Sequence, residues 1–96
     1  MSRSLLERRL TDLTGRLRAL RDELGVADEQ LAALTETAEE ARLRALVSET
    51  PLADRESEEA TRHAEAMARH RADVVSRLAE IERAQDDLLD RLLAER

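Results

Sequence analysis

The sequence predicts an all-α protein, a long antiparallel two-helix coiled-coil hairpin that dimerises into a four-helix bundle. Three observations predict this fold. Apolar residues recur at alternating steps of four and three along most of the 96 residues. The only proline, Pro51, divides this pattern near its midpoint. Aromatic residues are absent and 40% of residues are charged, a composition typical of long helices rather than of a thick globular core.

The first helix is expected over residues 4–47, with Ser4 and Glu7 forming a capping box at its start. Its seam consists of the residues at heptad positions a and d, with Leu10 at a. These seam residues are Leu6, Leu10, Leu13, Leu17, Leu20, Leu24, Ala27, Leu31, Leu34, Ala38, Ala41 and Ala45. Gly25 offers an alternative, a break with Asp28 capping a new helix of a three-helix bundle. The seam keeps its phase from Leu24 to Leu31, which favours a continuous helix.

The turn is expected at residues 48–50. Proline disfavours the helical conformation of the residue before it and lacks a backbone N–H, so it suits the first position of a helix. Thr50 is therefore the expected N-cap of the second helix, at 51–95. Together these elements make residues 1–96 a single hairpin domain.

The second seam continues the same spacing after the turn and contains two long polar residues, Arg71 and Gln85. Its members are Ala53, Ser57, Ala60, Ala64, Met67, Arg71, Val74, Leu78, Ile81, Gln85, Leu88 and Leu92. Antiparallel pairing sets Leu20 opposite Leu78 and places Arg71 opposite Ala27, beside Asp28. A small residue opposite a long one lets the guanidinium reach a carboxylate.

Charge supports the antiparallel arrangement. Residues 1–21 carry a net charge of +4 and face 78–96, which carry −3. Residues 22–40 carry −7 and face 60–77, which carry +2. Opposite signs along both stretches favour this pairing over alternatives.

Composition also limits the partners. The net charge of −6 argues against binding to nucleic acid or anionic lipid. Cysteine is absent, no apolar run approaches a membrane span, and the N-terminal stretch does not resemble a signal peptide. We therefore expect a cytoplasmic protein without nucleic-acid, membrane or small-molecule partners.

The sequence offers few candidate metal ligands or catalytic residues. His63 and His70 are seven residues apart, whereas helical zinc ligands are usually three or four apart. Two acidic clusters lie on the predicted helices without an apolar pocket to perturb them: Asp54, Glu56, Glu58 and Glu59, and Asp86, Asp87 and Asp90. The sequence therefore predicts no enzyme, no metal site and no cofactor.

Apolar residues outside the seam suggest binding surfaces. Leu43, Leu46, Val47 and Leu52 gather at the turn, where they either cap the hairpin locally or bind a partner. With their neighbours they define the predicted tip surface: Leu43, Leu46, Val47, Glu49, Pro51, Leu52, Asp54 and Arg55. A second set at positions e and b of the second helix forms the outer stripe, the predicted dimer interface. The outer stripe consists of Ala68, Ala72, Val75, Ala79, Leu89 and Leu93.

The sequence also resembles two known families of proteins. The stretch Glu40-Ala41-Arg42 … Asp54 … Glu58 … His63-Ala64 … Leu78-Ala79-Glu80-Ile81-Glu82 resembles the coiled-coil arm of Gre-type transcript-cleavage factors, which implies binding to RNA polymerase. The length and the mid-chain turn are similar to those of small secreted helical hairpins, although Ser48-Glu-Thr-Pro-Leu52 replaces their Trp-x-Gly turn. That likeness implies an exported effector or a subunit of a secretion complex.

The expected function is therefore that of a non-enzymatic protein–protein interaction or regulatory module. In this interpretation the hairpin forms a homodimer and presents its tip to a larger protein. The secreted hairpin and the Gre-like arm are the alternatives.

Overall fold

The computed structural model describes residues 2–95, and within them it contains two helices and no strand. Helix α1 spans Arg3–Ser48 and helix α2 spans Pro51–Ala94. The prediction of an all-α helical hairpin is confirmed. Helix α1 runs through Gly25 without interruption, so the break considered for a three-helix bundle does not occur. Dimerisation and the single-domain organisation stay predictions.

The start of α1 differs from the expected capping box. The Leu5 N–H donates a hydrogen bond to Ser2 Oγ at 3.2 Å, and the Leu6 N–H donates to the Ser2 carbonyl at 3.0 Å. Ser2 rather than Ser4 is therefore the N-cap, and the helix begins at Arg3. Glu7 forms an ion pair with Arg3 at 3.1 Å instead of reaching back to a cap. An earlier serine that satisfies free N–H groups extends the helix by one residue.

The chain divides into two compact units, each with its own internal contacts. Unit 1 consists of Met1–Leu24 and Asp73–Arg96, and unit 2 consists of Gly25–Ala72. Every buried hydrophobic side chain described in either unit belongs to the predicted seam. These side chains are Leu6, Leu17, Ala27, Ala41, Ala53, Val74, Leu78 and Leu88.

Unit 1 is held by a leucine-rich core. Leu17, Val74 and Leu78 form a buried cluster, against which Leu20, Leu24 and Ile81 pack. The seam of this unit also contains the polar residue Gln85, whose Nε2 donates a hydrogen bond to Thr14 Oγ1 at 3.1 Å. The Thr14 hydroxyl in turn donates to the Leu10 carbonyl at 2.9 Å. The bond from Gln85 gives a polar side chain of the seam a partner on the other helix.

Unit 2 is packed through small residues. Its buried hydrophobic side chains are the three alanines Ala27, Ala41 and Ala53, while the larger seam residues Leu31, Leu34 and Met67 are half-buried. Arg71, the charged seam residue of this unit, donates from Nε to Asp28 Oδ1. The guanidinium thus reaches the carboxylate expected from the sequence, and it does so beside the small Ala27.

Candidate docking surface at the turn

The turn in unit 2 is closed by backbone and side-chain hydrogen bonds. Glu49 follows the last residue of α1 with a φ of 51°, and its N–H donates to the Ala45 carbonyl at 3.1 Å. This bond is the left-handed C-terminal motif that ends many helices. Thr50 caps α2 as predicted, because its Oγ1 accepts the Ala53 N–H at 3.2 Å. Pro51 occupies the first helical position.

Alanine fills the seam next to this turn. Ala41 and Ala53 are buried, and Ala45 and Ala60 are half-buried. Alanine has little side chain to bury, and apolar burial contributes about 25 cal/mol per Å². The seam of this end therefore contributes less stability than the leucine-rich seam of unit 1. It also leaves the large apolar residues near the turn outside the packed interface.

Four apolar side chains of the tip surface are open to solvent. Leu43 is 58% exposed, Leu46 66%, Val47 85% and Leu52 61%. A local cap over the hairpin end would bury these side chains, and their exposure shows that they contribute little to the core. Contiguous exposed apolar residues on a small protein are typical of binding surfaces.

Charged residues surround these apolar side chains. The remaining members of the predicted tip surface, Glu49, Pro51, Asp54 and Arg55, are all exposed, as is Arg44 beside them. An apolar centre with a charged and polar rim is the usual anatomy of a protein–protein interface. The helices thus present the predicted tip residues at the same turn.

Shallow grooves flank the alanine seam of unit 2. One groove of about 280 Å³ brings together Leu46 and Asp54 of the tip surface, and Arg42, Ala45, Ser57 and Glu58 complete its lining. A second groove of about 250 Å³ has His63 in its wall. The rest of that wall comes from Leu34, Thr37, Ala41, Arg44, Glu56, Glu59 and Ala60. Both grooves exist because alanine seam residues leave space between the flanking side chains.

Metal ligands do not converge in the described part of the chain. Residues 2–95 contain no group of three or more histidine, cysteine, aspartate or glutamate side chains placed to hold a metal ion. His63 and His70 are both exposed on α2.

The outer stripe is divided between the two units. In unit 1, Val75 is 40% exposed, Leu89 42% and Leu93 57%, while Ala79 is half-buried. In unit 2, Ala68 and Ala72 are exposed. The larger side chains of the stripe thus lie in unit 1 and keep a substantial apolar surface in contact with water.

Two of the large apolar residues exposed within residues 2–95 belong to neither predicted surface. Leu5 in unit 1 and Val26 in unit 2 are both exposed, and both lie at heptad position c of α1. The heptad assignment alone would have placed them outside the seam. They are isolated from the tip surface in sequence and make useful controls for it.

Comparison with known proteins gives no family for this chain. No protein-family model matches it, and neither a curated protein nor a solved structure does. Within residues 2–95, neither helix has an apolar stretch long enough to cross a membrane.

Proposed function

We propose that this protein is a non-enzymatic interaction module whose helical hairpin presents its turn end to a larger protein partner. The observation that supports this proposal most directly is the exposure of Leu43, Leu46, Val47 and Leu52 around one turn. A hairpin that binds no partner could carry polar residues at these exposed positions without losing stability. Large side chains kept out of the core are instead available as anchors for a partner.

The packing of unit 2 supports the same proposal. Ala41 and Ala53 in its seam make a thin helix pair, and the groove beside Leu46 gives a partner side chain a place to enter. Binding energy at interfaces concentrates in a few apolar or aromatic anchors surrounded by weaker polar contacts. The tip surface offers its leucines as such anchors, with Asp54 and Arg55 in the rim.

We also propose that the hairpin forms a homodimer through unit 1. A groove of about 380 Å³ on one side of this unit is lined by position-g residues of both helices, including Arg9, Arg16 and Arg91. The e positions of both helices therefore lie on the opposite side, where the outer stripe of α2 exposes Val75 and Leu89.

Charged residues of opposite sign on that side could pair between two copies of the chain. In α2, Glu82 and Asp86 occupy stripe positions between Ala79 and Leu89, and both are exposed. In α1, Arg18 at position b and Arg21 at position e lie on the corresponding side and are also exposed. A two-fold symmetric dimer would place the acids of one copy near the arginines of the other, and it would cover the apolar stripe.

A pair of substitutions tests the tip surface. Leu46→Ser combined with Leu52→Ser should abolish capture of the partner from an extract of the source cells. Both side chains are mostly exposed, so the free energy of unfolding should fall by less than about 1 kcal/mol. The matched control is Leu5→Ser combined with Val26→Ser, which removes two exposed apolar side chains elsewhere and should leave capture unchanged.

Two results would overturn this proposal. One is unfolding of the Leu46/Leu52 variant, because it would mean that the leucines stabilise the hairpin. The other is equal loss of capture in both variants, because it would mean that exposed apolar surface in general causes the binding. Circular dichroism monitors folding here, because the chain has no aromatic residue for fluorescence.

The proposal places the protein in the cytoplasm. Cell fractionation with an antibody against the hairpin tests this location. Recovery from the culture medium would instead favour the secreted helical-hairpin function, for which the same tip variants remain informative.

A further inference from the structure

The outer face of α1 in unit 2 repeats one pattern in two consecutive heptads. Leu43, Leu46 and Val47 occupy positions f, b and c, and all three are mostly exposed. One heptad earlier, the same three positions hold acidic residues, which we name the acidic triplet. The acidic triplet consists of Glu36, Glu39 and Glu40, all exposed. At 1.5 Å per residue, the two sets lie about 10 Å apart along one helix face.

The acidic triplet has no ion-pair partner within residues 2–95. The ion pairs of this part of the chain involve other residues, such as Arg71 with Asp28 and Arg77 with Asp73. Glu36 and Glu40 are moreover four residues apart on one helix, a spacing at which like charges destabilise the helix. Arg44 lies four residues after Glu40, but no ion pair forms between them, so the charge of the triplet is available to a partner.

The surroundings of the triplet add to its negative potential. Unit 2 contains eleven acidic residues and six arginines, so it carries −5 of the net charge of −6. The groove beside Leu46 contributes two further carboxylates, Asp54 and Glu58, next to the single cation Arg42. The rim of the tip surface itself is mixed, with Arg44 and Arg55 beside Glu49 and Asp54, so the excess of negative charge lies at the acidic triplet, where it complements basic side chains of a partner.

We infer that the partner segment received by the tip surface is a basic amphipathic helix. Its apolar side chains would pack on Leu43, Leu46 and Val47, and arginines or lysines one heptad away would face the acidic triplet. A helix fits because the surface is itself a helix face with a heptad repeat, and a packed helix presents side chains at the same spacing. Long basic side chains also cover apolar surface with their aliphatic stems. This inference rests on the proposed function of the tip surface.

A displayed library of helical peptides with randomised outer faces tests the chemistry of the partner. Peptides are selected on the folded hairpin, with the Leu43→Ser, Leu46→Ser variant used to remove those that bind elsewhere. The expected winners carry apolar residues at helical spacing and arginine or lysine one heptad away. A synthetic peptide of residues 2–21, which contains six arginines, is measured alongside the selected peptides.

Affinity measurements on two charge variants then locate the effect. Glu36→Gln, Glu39→Gln and Glu40→Gln together should weaken binding of the winning peptides about tenfold at low salt and reduce its salt dependence. The matched control removes three exposed carboxylates of the same unit from α2, through Glu56→Gln, Glu59→Gln and Glu65→Gln. Binding by this control should stay within about twofold of the unmodified protein.

Each outcome distinguishes this inference from the function on which it rests. Selected peptides that need Leu43 and Leu46 for binding but are not basic would overturn the inference. They would still support the proposed function. An absence of winners that need these leucines would overturn both. Equal weakening by the two charge variants would mean that the net charge of unit 2, and not the position of the triplet, strengthens binding. This result would overturn the inference. Preferential binding of the 2–21 peptide, itself a basic amphipathic segment, would support the inferred chemistry but would identify a second copy as the occupant, which overturns the proposed larger partner.

Discussion

The Nε of Arg71 donates a hydrogen bond to Oδ1 of Asp28 and so joins α2 to α1 within unit 2. Arg71 occupies a seam position, where an apolar residue would be usual, and its side chain is half-buried. The neighbouring Ala27 is small and buried, so the aliphatic part of Arg71 has room beside it while the guanidinium stays near water. A polar seam residue of this kind favours one pairing of the helices over others.

We expect the Arg71–Asp28 pair to contribute little stability. Both side chains are partly exposed, and exposed ion pairs are worth about 1 kcal/mol or less. A double-mutant cycle with Arg71→Ala and Asp28→Ala, measured by urea unfolding, should give a coupling energy in that range that declines at high salt. The control cycle pairs Asp28→Ala with Arg69→Ala and should show no coupling. A coupling well above 1 kcal/mol would contradict this assignment.

Glu49 should be a site of backbone strain. Its φ of 51° lies in the left-handed region, where a residue with a Cβ costs roughly 1–2 kcal/mol. Glu49→Gly should therefore raise the free energy of unfolding by about 1 kcal/mol, part of the relief being offset by the greater freedom of glycine in the unfolded chain. Glu49→Ala removes the same charge and keeps the Cβ, so it should give no such gain. Equal stability of the two variants would show that this conformation is not strained.

Cysteines at two packed seam positions should crosslink within one chain. Leu20 packs against the cluster that contains Leu78, so Leu20→Cys with Leu78→Cys should oxidise readily to a product of monomer mass. The chain has no other cysteine to compete. In the control pair, Leu20→Cys with Val75→Cys, one residue lies outside the seam and should crosslink much less. Comparable crosslinking of both pairs would refute the antiparallel pairing described for unit 1.

The proposed homodimer depends on the outer stripe in unit 1. Val75→Glu with Leu89→Glu should convert the dimer to a monomer at micromolar concentration and leave the helical signal high, because both side chains are exposed in the single chain. Sedimentation velocity measures the mass. The control, Leu5→Glu with Ala19→Glu, adds the same charge at exposed c positions of α1 and should remain dimeric. A monomeric unmodified protein, or a monomeric control, would rule out this interface.

Much of the fold could be predicted because the heptad spacing is strict. Every buried hydrophobic side chain among residues 2–95 lies at a seam position that the sequence indicated. Thr50 and Pro51 likewise located the turn, through the capping hydroxyl and the missing N–H. The start of α1 was less predictable because Ser2 and Ser4 are both suitable caps. The hydrogen bond from the Leu5 N–H decides between them.

The candidate docking surface was only partly predictable. The sequence alone determined which residues lie outside the seam, because a helix repeats its faces at a fixed interval. It could not determine whether Leu46 and Leu52 cover the hairpin end or face water, because that depends on the neighbouring helix. Only the tertiary structure decided this, by packing α1 and α2 through Ala41 and Ala53 and leaving the leucines exposed. The same packing decided that Gln85 bonds to Thr14, since a polar side chain in an apolar seam takes the nearest acceptor that the partner helix offers.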